Sequence, residues 1–359
     1  MKYKKNFEQT LDRLKKFYNT KMESKILARM NIESKVLNKF KEEHKAGLCS
    51  YPDPVKRIEF WDAFLKERKD IIDDSIPSVY LTEFDQGLYG ALVGGDIRFN
   101  VDPDNGWISS MVPPIIESWQ EFDQLIIDYE SGWLEKYKKQ LDIYSRWAED
   151  KFGISHFILI DSLNFVYELR GATQTYLDVE QNPGRIKQAK EFAFKLNTFI
   201  QDLFFEGIDL IAGGTCSNAG EWIPGIVITE SVDPFHMTSA DYFEEWGKKE
   251  VEKIFNYYDG GIVHIHANGR HLVESVAEIE GLKGILFLDD LGYPSSFSLR
   301  HQLRKRAGDM PLILYVDYEE FIIALQDNDL AGGILYQVTD VPDVETANRC
   351  FEKVRNIDL

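Results

Sequence analysis

Two histidines set two residues apart, His264 and His266, stand in the stretch GGIVHIHANGR. Apolar residues alternate with them, two glycines precede them, and Ala267-Asn268-Gly269 follows before a helical run. Period-two alternation that breaks into a turn and then a helix predicts strand, loop, helix. On a strand, residues i and i+2 share a face, so both imidazoles point one way and Val263 and Ile265 the other. Paired imidazoles can bind a metal with a carboxylate or thiolate from a neighbouring strand. They can also move protons near neutral pH, or simply hydrogen-bond in a core. Asp85, Asp289, Asp317 and Cys216 are the sequence's available partners for a metal. Cys216 acts as ligand or nucleophile only as a thiolate, and free cysteines are often plain buried residues.

The elements that must position these residues follow the same pattern. Strands are expected at SVYLTEF, ending at Asp85, at HFILID (156–161), at GIDLIAGGT (207–215), at the histidine stretch, at KGILFLDD (283–290), at PLILYVD (311–317) and at GGILYQV (332–338). An eighth fits within GALVGGDIRF. Helical patterns separate them, notably at 117–151, 184–206 and 295–306. Short apolar strands alternating with helices imply a parallel sheet. Seven or eight such units without a GxGxxG loop predict an α/β fold of (β/α)8 TIM-barrel type, with its site at the C-terminal strand ends. Those ends supply Asp85, Asn164 beyond Asp161, Thr215, His264, His266, Asn268, Asp289 and Asp317. Tyr167 is a candidate donor to developing negative charge. Arg270, opening a helix, and Arg170 are candidate anchors for an anionic substrate group.

Residues 1–49 are expected to form a basic helical arm preceding a barrel over 50–359. Residues 1–45 hold 13 Lys/Arg against 6 Asp/Glu, and Leu11, Leu14, Phe17, Ile26, Met30, Ile32, Leu37 and Phe40 recur at roughly helical spacing. Such an arm packs on the main domain or on a second subunit, as in a homodimer, or docks an acidic partner. The whole chain of 359 residues is acidic, with 41 Lys/Arg and 60 Asp/Glu for a net charge of −19. That disfavours nucleic-acid and anionic-membrane partners and leaves a small-molecule substrate. No run approaches a membrane span. Three scattered cysteines without a CxxC pair fit a reducing cytoplasm.

The stretches SIPSVYLTEFDQGLYGALVGG, FILIDSLNFVYELRG, DPFHMTSADYFEEWGKKEVEKIF and GGIVHIHANGRHLVESVAEIEGLKGI resemble the uroporphyrinogen decarboxylase superfamily over about residues 50–355. That superfamily includes zinc-dependent methyltransferases that move methyl groups to or from corrinoid proteins or to thiols. The resemblance implies a TIM barrel, and it places Asp85 at the aspartate that holds the pyrroles in true decarboxylases. Tyr167 and Gly171 match a tyrosine and glycine of that group. The decarboxylases' MRQAGRY motif has no counterpart here, and Gly332 stands where they carry a histidine. In the methyltransferases an H-x-C pair ligates zinc together with a later cysteine. His264 matches the first ligand, His266 stands in the cysteine's place, and the later position falls near Gln337 to Thr339 without a cysteine. The expectation is therefore a divergent enzyme that moves a methyl group between a small methylated substrate and a corrinoid protein or thiol. Zinc would be its own cofactor, and a corrinoid would come only with the partner. Asp85, Tyr167 and His266 would be catalytic. Asn164, Arg170, Asn268, Arg270 and Asp289 would contact substrate. His264, His266 and Cys216 would be metal ligands. A metal-free decarboxylase and a non-catalytic binding protein are the alternatives.

Overall fold

Parallel strands alternating with helices dominate the computed structural model, which describes residues 1–19 and 25–356. Thirteen strands lie among the described residues: β1 (Ile26–Ile32), β2 (Gly47–Cys49), β3 (Ser78–Tyr80), β4 (Arg98–Asp102), β5 (Trp107–Met111), β6 (Gly153–Ser155), β7 (Gly214–Ser217), β8 (Glu221–Pro224), β9 (Ile228–Ser231), β10 (Gly261–Ile265), β11 (Leu282–Phe287), β12 (Leu312–Asp317) and β13 (Ile334–Val341). Six of them form an all-parallel sheet in the order β1-β13-β12-β11-β10-β9. A second sheet, β3-β6-β7-β8, is parallel except for its last pair. Strands β2, β4 and β5 make a small antiparallel sheet. The chain is thus a mixed α/β protein, as expected. None of its described helices is long and apolar enough to cross a membrane.

Register sorts the side chains into two layers. Leu27, Leu335, Ile313, Leu286 and His264 lie level across five adjacent strands. The four apolar members pack together with Ile262, Ile76 and Trp222, and with Leu11, Leu14 and Phe17 of the helix Phe7–Asn19. The opposite face, including Val263, Ile265, Ile285 and Leu314, meets the surrounding helices in the larger core.

The basic arm is not purely helical. Residues 26–32 form β1, paired with β13 inside the principal sheet. Ile26, Met30 and Ile32 satisfy helical spacing, but β-branched and apolar residues close to a partner strand gain more from the ladder, so tertiary pairing overrides the helical period. The N-terminal segment thus supplies a strand of the six-stranded sheet. The GALVGG region instead holds a short helix, Gln86–Ala91, and DIRF belongs to the β4–β5 hairpin.

The edge of β1 facing away from β13 is closed by Asp73 and Asp74. Their carboxylates accept from the backbone N–H groups of Met30 (2.8 Å) and Ala28 (3.0 Å), and the Asp74 N–H donates to the Ala28 carbonyl (2.9 Å). Lys4 Nζ donates to Asp73 Oδ1 at 2.6 Å, Arg68 donates to Oδ2, and Arg13 takes both oxygens of Asp74 (2.6 and 3.0 Å). Lys4 and Arg13 are therefore bound internally. At the far edge of the six-stranded sheet, the Leu159 N–H donates to Thr229 O (3.0 Å), linking the segment after β6 to β9.

Burial opposes the charge on Asp73, but Lys4, Arg68 and the hydrogen bonds from Lys4 and Ser75 hold its carboxyl well below the usual carboxylate range. A depressed folded-state pKa gives stability that is present above the unfolded value of about 4 and is lost as pH falls below it. Removing one member of a buried, hydrogen-bonded ion pair costs about 3–5 kcal/mol. Asp73→Ala should lower the unfolding free energy measured by urea titration by that much at pH 7 and show a shallower loss of stability in acid. Unchanged urea curves would show that this cluster does not hold β1.

Candidate active site

His264 and His266 share a face, as the alternation requires, with ring centroids 5.5 Å apart. Strand β10 runs beside β9 with His264 opposite Ser231. The 3-10 turn Asp233–Met237, started by Pro234, therefore delivers Asp233 to the same end of the sheet. His264 is buried, and its Nε2 lies 3.2 Å from Asp233 Oδ1. His266 and Asp233 keep 34% and 36% of their side chains exposed, so the cluster is open on one side. Behind His266, Nδ1 meets Asp290 Oδ1 at 3.0 Å, while Asp290 Oδ2 accepts the Ala267 N–H at 2.8 Å. With Nδ1–H donating to Asp290, the lone pair of His266 sits on Nε2.

One donor atom each from Asp233, His264 and His266 falls within 4.8 Å of the others. Two imidazole nitrogens, one carboxylate oxygen and an open side suit zinc with a free coordination position. Asp290 supplies the outer carboxylate that commonly orients a ligating imidazole. The buried His264 Nδ1 has no protein partner, and neither does the buried Nε2 of His236 in the same turn. The donor set fits zinc.

Charge is unevenly spread here. Partial desolvation opposes the charge on Asp233, but the approach of His264 Nε2 and the neighbouring His236 and His266 hold its carboxyl well below the usual carboxylate range. Burial pushes Asp85 the other way, up to about 7, against the hydrogen bond from Tyr80 and the influence of His264. The Tyr80 hydroxyl donates to Asp85 Oδ1 at 3.2 Å. Tyr80 also lines a cavity of about 650 Å³ at the C-terminal ends of β1, β3 and β13, with Asn31, Trp107, Tyr315, Gln337 and Thr339 among its walls. Burial raises Glu168 as well. It lies on the helix Ser162–Arg170, which packs against the turn Asp233–Met237.

The structure thus brings Asp85, His264 and His266 into one neighbourhood, flanked by the helix that carries Asn164 and Tyr167. Asn164 is buried with both amide atoms unpartnered. Tyr167 is half-buried and meets Tyr176 edge-on. Other candidates have different work. Arg170 donates to Asp178 Oδ2 at 2.5 Å, also reaches Ile116 O, and lies over the Trp119 ring. Arg270 donates to Asp289 Oδ1 and Pro294 O, both at 2.6 Å, tying the loop after β10 to the loop after β11. Neither arginine nor Asp289 is free to hold a substrate, and Asn268 is exposed beyond the site. Cys216 is not in the donor cluster. It is packed with Leu27, Trp222 and Ile262, close against Gly153, and burial pushes its thiol up to about 12. A buried neutral thiol is neither ligand nor nucleophile.

Asp233 and His236 escape a sequence reading because ITESVDPFHM passes for loop. The signal is the apolar lead-in GIVI before three polar residues and Asp-Pro, a strand ending in a turn. Strand β9 is buried throughout yet polar at Thr229, Glu230 and Ser231, which hides it from hydrophobic patterning.

No family model matches the chain, and no curated protein matches it in sequence. Among solved structures it is similar to a methyltransferase from Methanosarcina mazei, at 12% identity and a TM-score of 0.61, over 96% of this chain and 97% of that one. At this identity the likeness is one of fold, and it runs nearly end to end.

A carboxyl raised by burial holds a proton that the unfolded chain has already released between about pH 4 and 7. Stability therefore falls as pH rises through that window. Asp85→Asn removes the effect. The variant should melt above wild type at pH 8 and level with it near pH 4, as read by calorimetry at both pH values. An equal melting difference at the two values would place Asp85 in an ordinary solvated setting.

Proposed function

We propose that this chain is a methyl-transfer enzyme with zinc held by Asp233, His264 and His266. The observation that carries the reading is the convergence of these three donors at the C-terminal strand ends, with Asp290 fixed behind His266. A closed eight-stranded (β/α)8 barrel is the framework we propose, made from β1, β3, β6 and β9 to β13. The bonds from Asp74 to Ala28 and from Leu159 to Thr229 favour that closure. The end-to-end likeness of fold to a methyltransferase supports the same class.

The substrates we propose are a small methylated compound and a thiol or a corrinoid protein that carries the methyl group. Zinc, when bound, acts as a Lewis acid that favours the thiolate form of a thiol. In transfer to a thiol, the sulfur's electron pair forms the new S–C bond and the donor keeps the pair of the bond that breaks. The thiol proton must leave first. Asp85, with a carboxyl near neutrality and Tyr80 joining it to the cavity, would take it. Tyr80, Trp107 and Gln337 would orient the substrate within the cavity. His264 is buried, while His266 keeps an exposed side by which an acceptor would enter. The decarboxylase alternative lacks support because its two anchors, Arg170 and Arg270, are engaged within the fold.

Protein purified without chelators should contain close to one zinc per chain by elemental analysis, and His264→Ala and Asp233→Ala should contain almost none. Asp290→Ala, which removes only the outer carboxylate, should retain zinc with affinity lowered by about 10–100-fold. Wild type without a bound transition metal would end the zinc reading. A variant Asp85→Asn that kept full methyl transfer to a thiol would remove Asp85 from the reaction.

A further inference from the structure

His236 is not one of the three converging donors, yet it sits against all of them. Its side chain is 3% exposed. In a 3-10 turn, residues i and i+3 are eclipsed, so Asp233 and His236 project to the same side. His236 Nδ1 lies 3.5 Å from Asp233 Oδ1, the oxygen that His264 Nε2 approaches at 3.2 Å. Its ring meets the His266 ring edge-on, with centroids 5.8 Å apart and planes at 61°. The slot exists because residue 269 is glycine. A Cβ there would stand 2.1 Å from His236 Cδ2 and 2.6 Å from Nε2.

We propose that His236 is a positioning residue of the metal centre, orienting the Asp233 carboxylate through Nδ1 and bracing the His266 ring. The inference rests on the zinc reading above. A role in packing alone explains the site poorly. His236 Nε2 is buried without a partner, and an unsatisfied buried polar atom is destabilising. An apolar ring would fill the same slot without that cost. The Nδ1 edge faces the one carboxylate shared with His264, and the Nε2 edge faces the bare backbone of Gly269. The ring is therefore turned with Nδ1 toward the carboxylate. Ligating carboxylates held by outer partners lose about 10–100-fold in metal affinity when the partner is removed.

The test is zinc affinity, measured by competition with a chromophoric chelator on the full chain, with circular dichroism of each metal-free variant. His236→Ala and Gly269→Ala should each weaken zinc by about 10–100-fold. His236→Asn, whose amide nitrogen falls near the position of Nδ1, should restore affinity close to wild type. His236→Gln, whose amide falls near Nε2, should not. His236→Ala with wild-type affinity would overturn the inference while leaving the zinc reading intact, and so would rescue by Gln rather than Asn. Wild type that binds no zinc would overturn both. If His236→Ala does not fold, the comparison of Asn with Gln decides by itself.

Discussion

The outer edge of β1, away from β13, is the constraint on which much of this structure depends. A strand entering a parallel sheet from the N-terminus presents one row of backbone groups to its partner and leaves the other row in need of one. Here the second row is met largely by side chains. Asp73 and Asp74 reach across to the N–H groups of Met30 and Ala28. Two buried carboxylates side by side repel and lose solvation, so they need cations, and Lys4, Arg13 and Arg68 supply them. Burial still raises Asp74 while Asp73 is held low. The charge of the N-terminal segment therefore acts as an internal counter-charge that fixes the first strand.

From that edge the register propagates. β1 sets β13, β13 sets β12, and the level row Leu27, Leu335, Ile313, Leu286 ends at His264. Four members of the row are apolar and one is an imidazole, so the histidine stands at the margin between a packed interior and a polar mouth. The helix Phe7–Asn19 packs into the same apolar cluster, so the N-terminal segment both closes the sheet edge and completes the core beneath the site. A change there would reach the site through packing, without touching a ligand.

How much was legible in the sequence depends on how local each cause is. The His264–His266 pair was readable because strand parity is a property of two neighbouring residues. The strands β10 to β13 were readable because they are apolar and flanked by helices. β1 was not, since apolar residues at 26, 30 and 32 satisfy a helical period as well as a strand's, and only the distant β13 decides between them. β9 was hidden because its buried residues are polar, and Asp233 and His236 went with it. Arg170 and Arg270 were misleading for the opposite reason. An arginine near a strand end is equally suited to a substrate and to a carboxylate of the fold, and the carboxylates, Asp178 and Asp289, were already there. The short strand assigned at 207–215 lies later, at Gly214–Ser217, because Ala212 and Gly213 adopt positive φ and turn the chain before it.

The donor set itself has chemical consequences on the proposed reading. A donor set of one histidine and two thiolates would bring two negative charges to the metal. Two histidines and Asp233 bring one. A metal on Asp233, His264 and His266 would therefore keep more positive charge and stabilise a bound anion more strongly, while donating less electron density to it. For a thiol, this favours ionisation and tempers the nucleophilicity of the thiolate formed. Such a centre gains from a strong base for the thiol proton less than it gains from close positioning of the methyl donor. The surroundings agree with that balance. Asp85 is tuned near neutrality and not toward strong basicity, whereas His264 is buried, His266 is held by Asp290, and Asp233 lies beside two imidazoles. Rigidity at the metal and a mild base beside it are what a less electron-rich donor set requires.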